Sequence, residues 1–212
     1  MNDIKELYQW ACHGPWFERD LDTEYKYEVT KDKTLRIAFK GSSNFWESNK
    51  RIKVDWEKNF DIWVKAYKRT PSVWYAHRGF LSKWKAIEEE VLFLVYKYNP
   101  NKVLISGFSQ GGAIAGFAHE SIYFHFPKFR DNGLKTIVMG CPRFVWFWGK
   151  GGVSYRWNNF IRFECGWDVV TKLPPLLFGY SHVGTRKKIG RKWWQPSFRF
   201  KHNHLHYGDY LF

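Results

Sequence analysis

The residues best placed to do covalent chemistry are Gly107-Phe108-Ser109-Gln110-Gly111. This is a GxSxG turn, preceded by an apolar stretch at 102–106 (KVLIS) and followed by small residues, Gly112-Ala113-Ile114-Ala115. In a strand–turn–helix setting the tight turn lifts the serine hydroxyl past the carboxyl end of a sheet. Side chains at the two glycine positions would collide with the strand and the helix. The helix N-terminus then offers N–H groups and a positive dipole end to a developing oxyanion. The plain alternative is a glycine-rich turn without catalytic role, because a bare GxSxG carries little information.

A serine hydroxyl needs a base, and the base needs an orienting carboxylate. In this setting the acid and then the histidine follow the serine in the chain. The downstream acids are Glu120, Asp131, Glu164, Asp168 and Asp209. Asp168 falls just after an apolar stretch at 160–164, where a loop past a strand end would hold a triad acid. Glu164, its near rival, would lie on the strand itself. The downstream histidines are His119, His125, His182, His202, His204 and His206. The last three alternate in KHNHLHYGDY, which on a strand puts them on one face. That spacing also suits a metal, although no further Cys, Asp or Glu cluster completes such a site.

The elements that must position these groups are legible from periodicity. Residues 2–11 carry Ile4, Leu7 and Tyr8 at helical spacing, and 25–39 read as a hairpin around Lys31-Asp32-Lys33. Residues 80–98 place Leu81, Trp84, Ile87, Val91, Leu94, Val95 and Tyr98 on one face of a long helix, stopped by Asn99-Pro100. Strands are predicted at 102–106, 135–139 and 160–164, and a buried helix of small residues at 113–125. Alternation of this kind predicts an α/β fold with a mostly parallel central sheet and helices on both faces. The length of 212 residues suits one domain, 1–212.

Composition adds a second theme. The formal charge is +14 (34 basic against 20 acidic residues), and 21% of residues are aromatic, including 13 Trp. Such a surface suits a polyanion, an anionic lipid headgroup or an oil–water interface. Residues 169–208 lack any acid and hold Lys172, Arg186, Lys187, Lys188, Arg191, Lys192, Arg199 and Lys201. They either draw an anionic lipid surface toward the site or simply keep a tryptophan-rich protein soluble. Trp193-Trp194 and residues 144–148 (FVWFW) could dip into an interface, line an acyl pocket or belong to the core. Three cysteines, Cys12, Cys141 and Cys165, without a CxxC argue against a zinc ribbon or finger. The charged N-terminus has no secretory pattern, and the longest apolar runs are about six residues, as at 91–96. The expectation is a cytoplasmic protein, with release by lysis left open.

Seven blocks in order give the sequence a family likeness. LRIAFKGSS at 35–43 resembles a strand and oxyanion segment written FRGS or FRGT, and AHRGF at 76–80 resembles VHxGF. ISGFSQGGA at 105–113 resembles TGHSLGGA, and MGCPR at 139–143 resembles FGxPR. FECGWDVVTKLPP at 163–175 resembles the DxVxxLPP stretch, GYSH at 179–182 resembles GYxH, and NHLHY at 203–207 resembles DHLxY. The set resembles the class 3 lipase family, of the fungal triacylglycerol lipase type. The resemblance implies an α/β-hydrolase fold, Ser109 as nucleophile, Asp168 as orienting acid and His204 as base. It implies an oxyanion hole from the N–H groups of Ser42 and Gln110. It also implies that His182 is not the base, that His77 lies near the site, and that no metal or organic cofactor is needed.

The implied activity is hydrolysis of acyl-ester lipids, with a possible peripheral contact to an anionic membrane or lipid surface and no obligate nucleic acid. Turnover is expected to fall as pH drops through roughly 6–7, when the imidazole protonates. Departures are Phe108 in place of the usual histidine, Asn203 where aspartate often precedes the base, and no clear amphipathic lid between Ser42 and Trp74. A short lid would favour soluble esters. Two rival readings follow from the same residues. One is a non-enzymatic module binding nucleic acid or another anionic polymer; the other is a metal-dependent hydrolase built on His202, His204 and His206. Acyl length, headgroup and oligomeric state are not written in the sequence.

Overall fold

The computed structural model describes residues 2–12, 16–19, 23–41, 61–69, 72–147, 152–166, 168–190 and 207. In chain order they form α1 (Asn2–Cys12), β1 (Phe17–Arg19), β2 (Thr23–Val29), β3 (Thr34–Phe39), β4 (Val64–Arg69), β5 (Ser72–His77) and α2 (Arg78–Tyr98). There follow β6 (Lys102–Phe108), α3 (Gln110–His125), β7 (Leu134–Met139), β8 (Val145–Trp146), β9 (Phe160–Cys165), β10 (Tyr180–Ser181) and β11 (Thr185–Ile189).

The apolar strands assemble as their patterning demands. A seven-stranded sheet runs β1-β2-β3-β6-β7-β9-β11. The first three strands pair antiparallel, and β3 through β11 pair parallel. Parallel strands are covered on both faces, which is why β6 and β7 read as nearly unbroken apolar runs. One face packs α2 and α3 around Phe39, Trp84, Val91, Ile105, Ala115, Phe117 and Phe144. The other packs α1, through Leu7 and Tyr8, against Ile137, Met139, Phe163 and Cys165. The mostly parallel sheet with helices on both faces is the α/β architecture expected from the sequence.

α2 is set by its termini as well as its apolar stripe. The His77 ring accepts a hydrogen bond from Phe80 N–H (3.4 Å, Nδ1), a cap for a helix start that lacks acidic residues. Asn99 ends it in the left-handed region (φ 40°), its N–H returning to Val95 O at 3.1 Å, and Pro100 forbids continuation. α3 is buried from Gln110 to Ile122 and has small residues where it crosses the sheet, so it lies close to the strands.

Two features were not read from the sequence. A second sheet, β10-β8-β5-β4, is antiparallel and carries exposed Lys65, Lys68, Val73 and Tyr75. In the described part of the crossover from β7 to β9 a 3-10 turn, Ser154–Trp157, fills the space beside α3. It is fastened by the buried Arg156–Glu120 ion pair and by Trp157 Nε1 donating to Gly116 O at 2.9 Å.

Candidate active site

Ser109 occupies the single residue between β6 and α3. Its backbone has φ 55° and ψ −127°, a conformation that a residue with a side chain rarely adopts and that costs on the order of 1–3 kcal/mol. The surroundings hold it there. Ser109 N–H donates to Met139 O at the end of β7 (2.9 Å), and Ser109 O accepts from Gly112 N–H (2.9 Å). A Cβ on Gly107 would lie 2.3 Å from Gly111 O, and one on Gly111 would lie 2.2 Å from Phe39 O. Both approaches are to backbone, which cannot move aside. The glycines of the motif are therefore steric necessities.

A Cβ on Gly41 would reach 3.3 Å from Cβ of Ser109, so the chain entering Ser42 passes against the serine. Ser42, the expected partner in the oxyanion hole, lies outside the described residues. Gln110, the other expected donor, opens α3. Its N–H belongs to the first turn, where a helix presents donors and its positive dipole end. Its side chain is buried, and Oε1 accepts from Nζ of Lys83 at 3.2 Å.

Asp168 lies three residues past the end of β9 and is 1% exposed. Oδ1 accepts from Val170 N–H (2.9 Å), and Oδ2 accepts from the Tyr207 hydroxyl (2.6 Å). The turn closes with Asp168 N–H to Cys165 O (3.0 Å) and Thr171 Oγ1 to Asp168 O (2.7 Å). Tyr207 is wholly buried, and its oxygen also accepts from Cys165 N–H at 3.1 Å. Burial, then the Asp168 charge, pushes its phenol well above the ordinary range, so it stays a donor. The Phe108 ring stands edge-on to Tyr207, with centroids 5.8 Å apart. The residue before the serine thus touches the residue that holds the acid.

The other candidates are engaged elsewhere. Glu164, on β9 as expected, pairs with Arg162 (2.5 Å) and lies 3.6–3.9 Å from Lys172, His182 and Arg186. His182 bonds Thr171 O through Nε2 (2.8 Å). Burial, aided by Arg162, Arg143 and Lys172, pushes it down to about 3, so it is neutral and structural. His77 caps α2 and stacks on Phe80 at 4.1 Å. His119 contacts Thr136 Oγ1 at 2.8 Å and is pushed down to about 3 by burial. Cys141 is buried, with its thiol pushed up to about 12, and is no nucleophile.

The expected base His204, its neighbours His202 and His206, and Trp193-Trp194 lie outside the described residues. Among the described residues no three His, Cys, Asp or Glu side chains are grouped to hold a metal. Of residues 144–147, Phe144 and Val145 are core while Phe147 is exposed. One residue tied to the site was missed as such: Tyr207, which donates to Asp168, was signalled only as the last letter of the terminal block.

Comparison with known proteins agrees with this layout. The class 3 lipase model matches residues 36–178. The lipase of Rhizopus niveus is 26% identical over 176 residues, covering 78% of this chain and 41% of its own. The chain therefore spans about two fifths of the length of that relative. The solved triacylglyceride lipase of Rhizomucor miehei superposes with a TM-score of 0.69 at 24% identity, covering 82% of this chain and 65% of that one. A triacylglycerol lipase whose catalytic centre is a serine protease triad superposes with a TM-score of 0.65 at 24% identity, covering 83% of this chain and 64% of that one. The superpositions identify the fold as the α/β-hydrolase type. With a family model spanning most of the chain and the serine turn in place at its centre, this chain belongs to the class 3 lipase family.

Proposed function

We propose that the protein is a serine ester hydrolase that cleaves acyl esters of lipids. The observation that carries this reading is the strained Ser109 turn, joined through Phe108 and Tyr207 to a buried carboxylate at Asp168. A backbone held in a costly conformation at a helix N-terminus, linked to a buried acid turn, is the arrangement that acyl transfer uses.

In the proposed mechanism His204 takes the Ser109 proton as Oγ attacks the ester carbonyl. Asp168 orients the imidazole and stabilises its charged form. The N–H groups of Ser42 and Gln110 hold the oxyanion. His204 then protonates the leaving alcohol, and water repeats the sequence on the acyl-enzyme. Covalent reach supports a base from this terminal block, since three residues span at most about 11 Å and Tyr207 is bonded to Asp168; the family resemblance selects His204 over His206.

The substrate face is proposed to be a lipid surface. Leu177 is 92% exposed, and Leu176, Phe178 and Phe147 are more than 45% exposed. Half-exposed Lys172 lies on the same stretch of chain, so apolar insertion would be joined to attraction for anionic headgroups.

A fluorophosphonate probe tests the reading. Wild type should label and Ser109→Ala should not. Failure of wild type to label, with retention on an anionic polymer, would instead establish the binding module. Turnover that survives EDTA would exclude the metal enzyme. Separate replacement of His202, His204 and His206 by alanine should abolish turnover only at His204.

A further inference from the structure

Lys83 stands in the second turn of α2 and is completely buried, with its Nζ donating to Oε1 of Gln110 across 3.2 Å. Gln110 is itself 4% exposed and directly follows Ser109. Lysine is among the residues least often removed from water, and a buried cation costs several kcal/mol before its partners repay it. Two apolar side chains of similar volume would fill the same space more cheaply. The apolar core to which α2 and α3 both contribute includes Phe80, Leu81, Trp84, Ala113, Ile114 and Phe117.

The second buried polar node on α2 provides a contrast. Glu88 accepts from Tyr67 (2.8 Å) and Ser121 (3.0 Å), and Trp84 Nε1 donates to the same tyrosine (2.9 Å). That node bolts the small sheet to both helices, and Ser121 lies three turns along α3 from Ser109. The Lys83–Gln110 contact instead joins α2 to the residue that follows Ser109 and opens α3.

We infer that Lys83 is a positioning residue for the acyl-transfer step. It pins Gln110 by its side chain, so that the main-chain N–H keeps its aim. It also adds fixed positive charge behind the oxyanion hole. The inference rests on the hydrolase reading above. Charge fixed in a dry interior acts most on the state in which negative charge has developed, so its removal should lower kcat and leave KM nearly unchanged.

The test uses the full chain and a soluble p-nitrophenyl ester, with melting temperature and fluorophosphonate labelling rate measured in parallel. Lys83→Met should lower kcat about tenfold and labelling in proportion, with KM within about twofold. Gln110→Glu keeps the contact but neutralises the charge, and should lower kcat while holding the melting temperature. The double variant Lys83→Met with Gln110→Leu replaces the polar pair by an apolar one. It should match or exceed wild-type stability and still turn over slowly. A double variant with wild-type kcat would reduce the pair to packing and overturn the inference, as would a Gln110→Glu protein of undiminished kcat. An inert, unlabelled wild type would instead remove the hydrolase reading itself, a result distinct from either.

Discussion

Ser109 and Asp168 each sit past the carboxyl end of a parallel strand, β6 and β9, yet different forces hold the two turns. The serine turn is walled by backbone. Gly107 and Gly111 touch main-chain atoms so closely that no side chain fits, and Ser109 is left in a conformation it would not choose. The acid turn is tied by side chains. Its carboxylate takes one hydrogen bond from the local backbone and one from Tyr207, 39 residues away. Steric walls tolerate nothing, and here they are main-chain atoms of the turn itself and of β3, whatever the side chains there. Hydrogen-bond ties weaken by degrees and depend on distant parts of the chain.

The comparison can be broken most forcefully at Gly111. Gly111→Ala drives a methyl into Phe39 O and should lose at least about 3 kcal/mol of stability by urea titration. A neutral result would show that the wall yields. Tyr207→Phe removes a donor from a buried carboxylate and should cost about 2–3 kcal/mol, with a matching fall in turnover. That intermediate effect is the mark of a tie.

Acid should cost stability through two buried histidines, His119 against β7 and His182 beside the second turn. His182, bonded to Thr171 O, titrates near 3 when folded and near 6.5 when unfolded. Between those values the unfolded chain binds the proton and the folded one does not, so this contribution is complete above about pH 6.5 and shrinks as pH falls. At pH 5 the loss from His182 is about 2 kcal/mol, and His182→Asn should remove that share of the slope, leaving the share of His119, in urea titrations at pH 7 and 5. The smallest effect is a gain. Ser109→Gly relieves the positive φ and should raise stability by about 1 kcal/mol while abolishing turnover.

This difference in forces explains what could be read from the sequence. The serine turn announced itself because its steric requirement is written as glycines in five consecutive residues, even though part of the wall, Phe39 O, is distant in the chain. Asp168 could be placed past a strand, but not the tie from Tyr207, which depends on a contact no spacing rule encodes. The resemblance to a family, not periodicity, singled out His204 from its two neighbours. The helical stripe of α2 was legible down to Leu94 and Val95, whereas Lys83 was hidden because a charged letter in such a pattern is expected to face water. The small sheet escaped because β8 and β10 are two residues each, and because lysines interrupt β4.

β11 is the terminal strand of the large sheet among the described residues, and its sequence is Thr-Arg-Lys-Lys-Ile. An outermost strand offers a row of backbone donors and acceptors to any passing chain, the first step toward fibrils. Three consecutive exposed cations at Arg186, Lys187 and Lys188 make a second copy of that strand a repelled partner. This edge of the large sheet is thus guarded against growing onto its own copy, in a protein rich in aromatic rings.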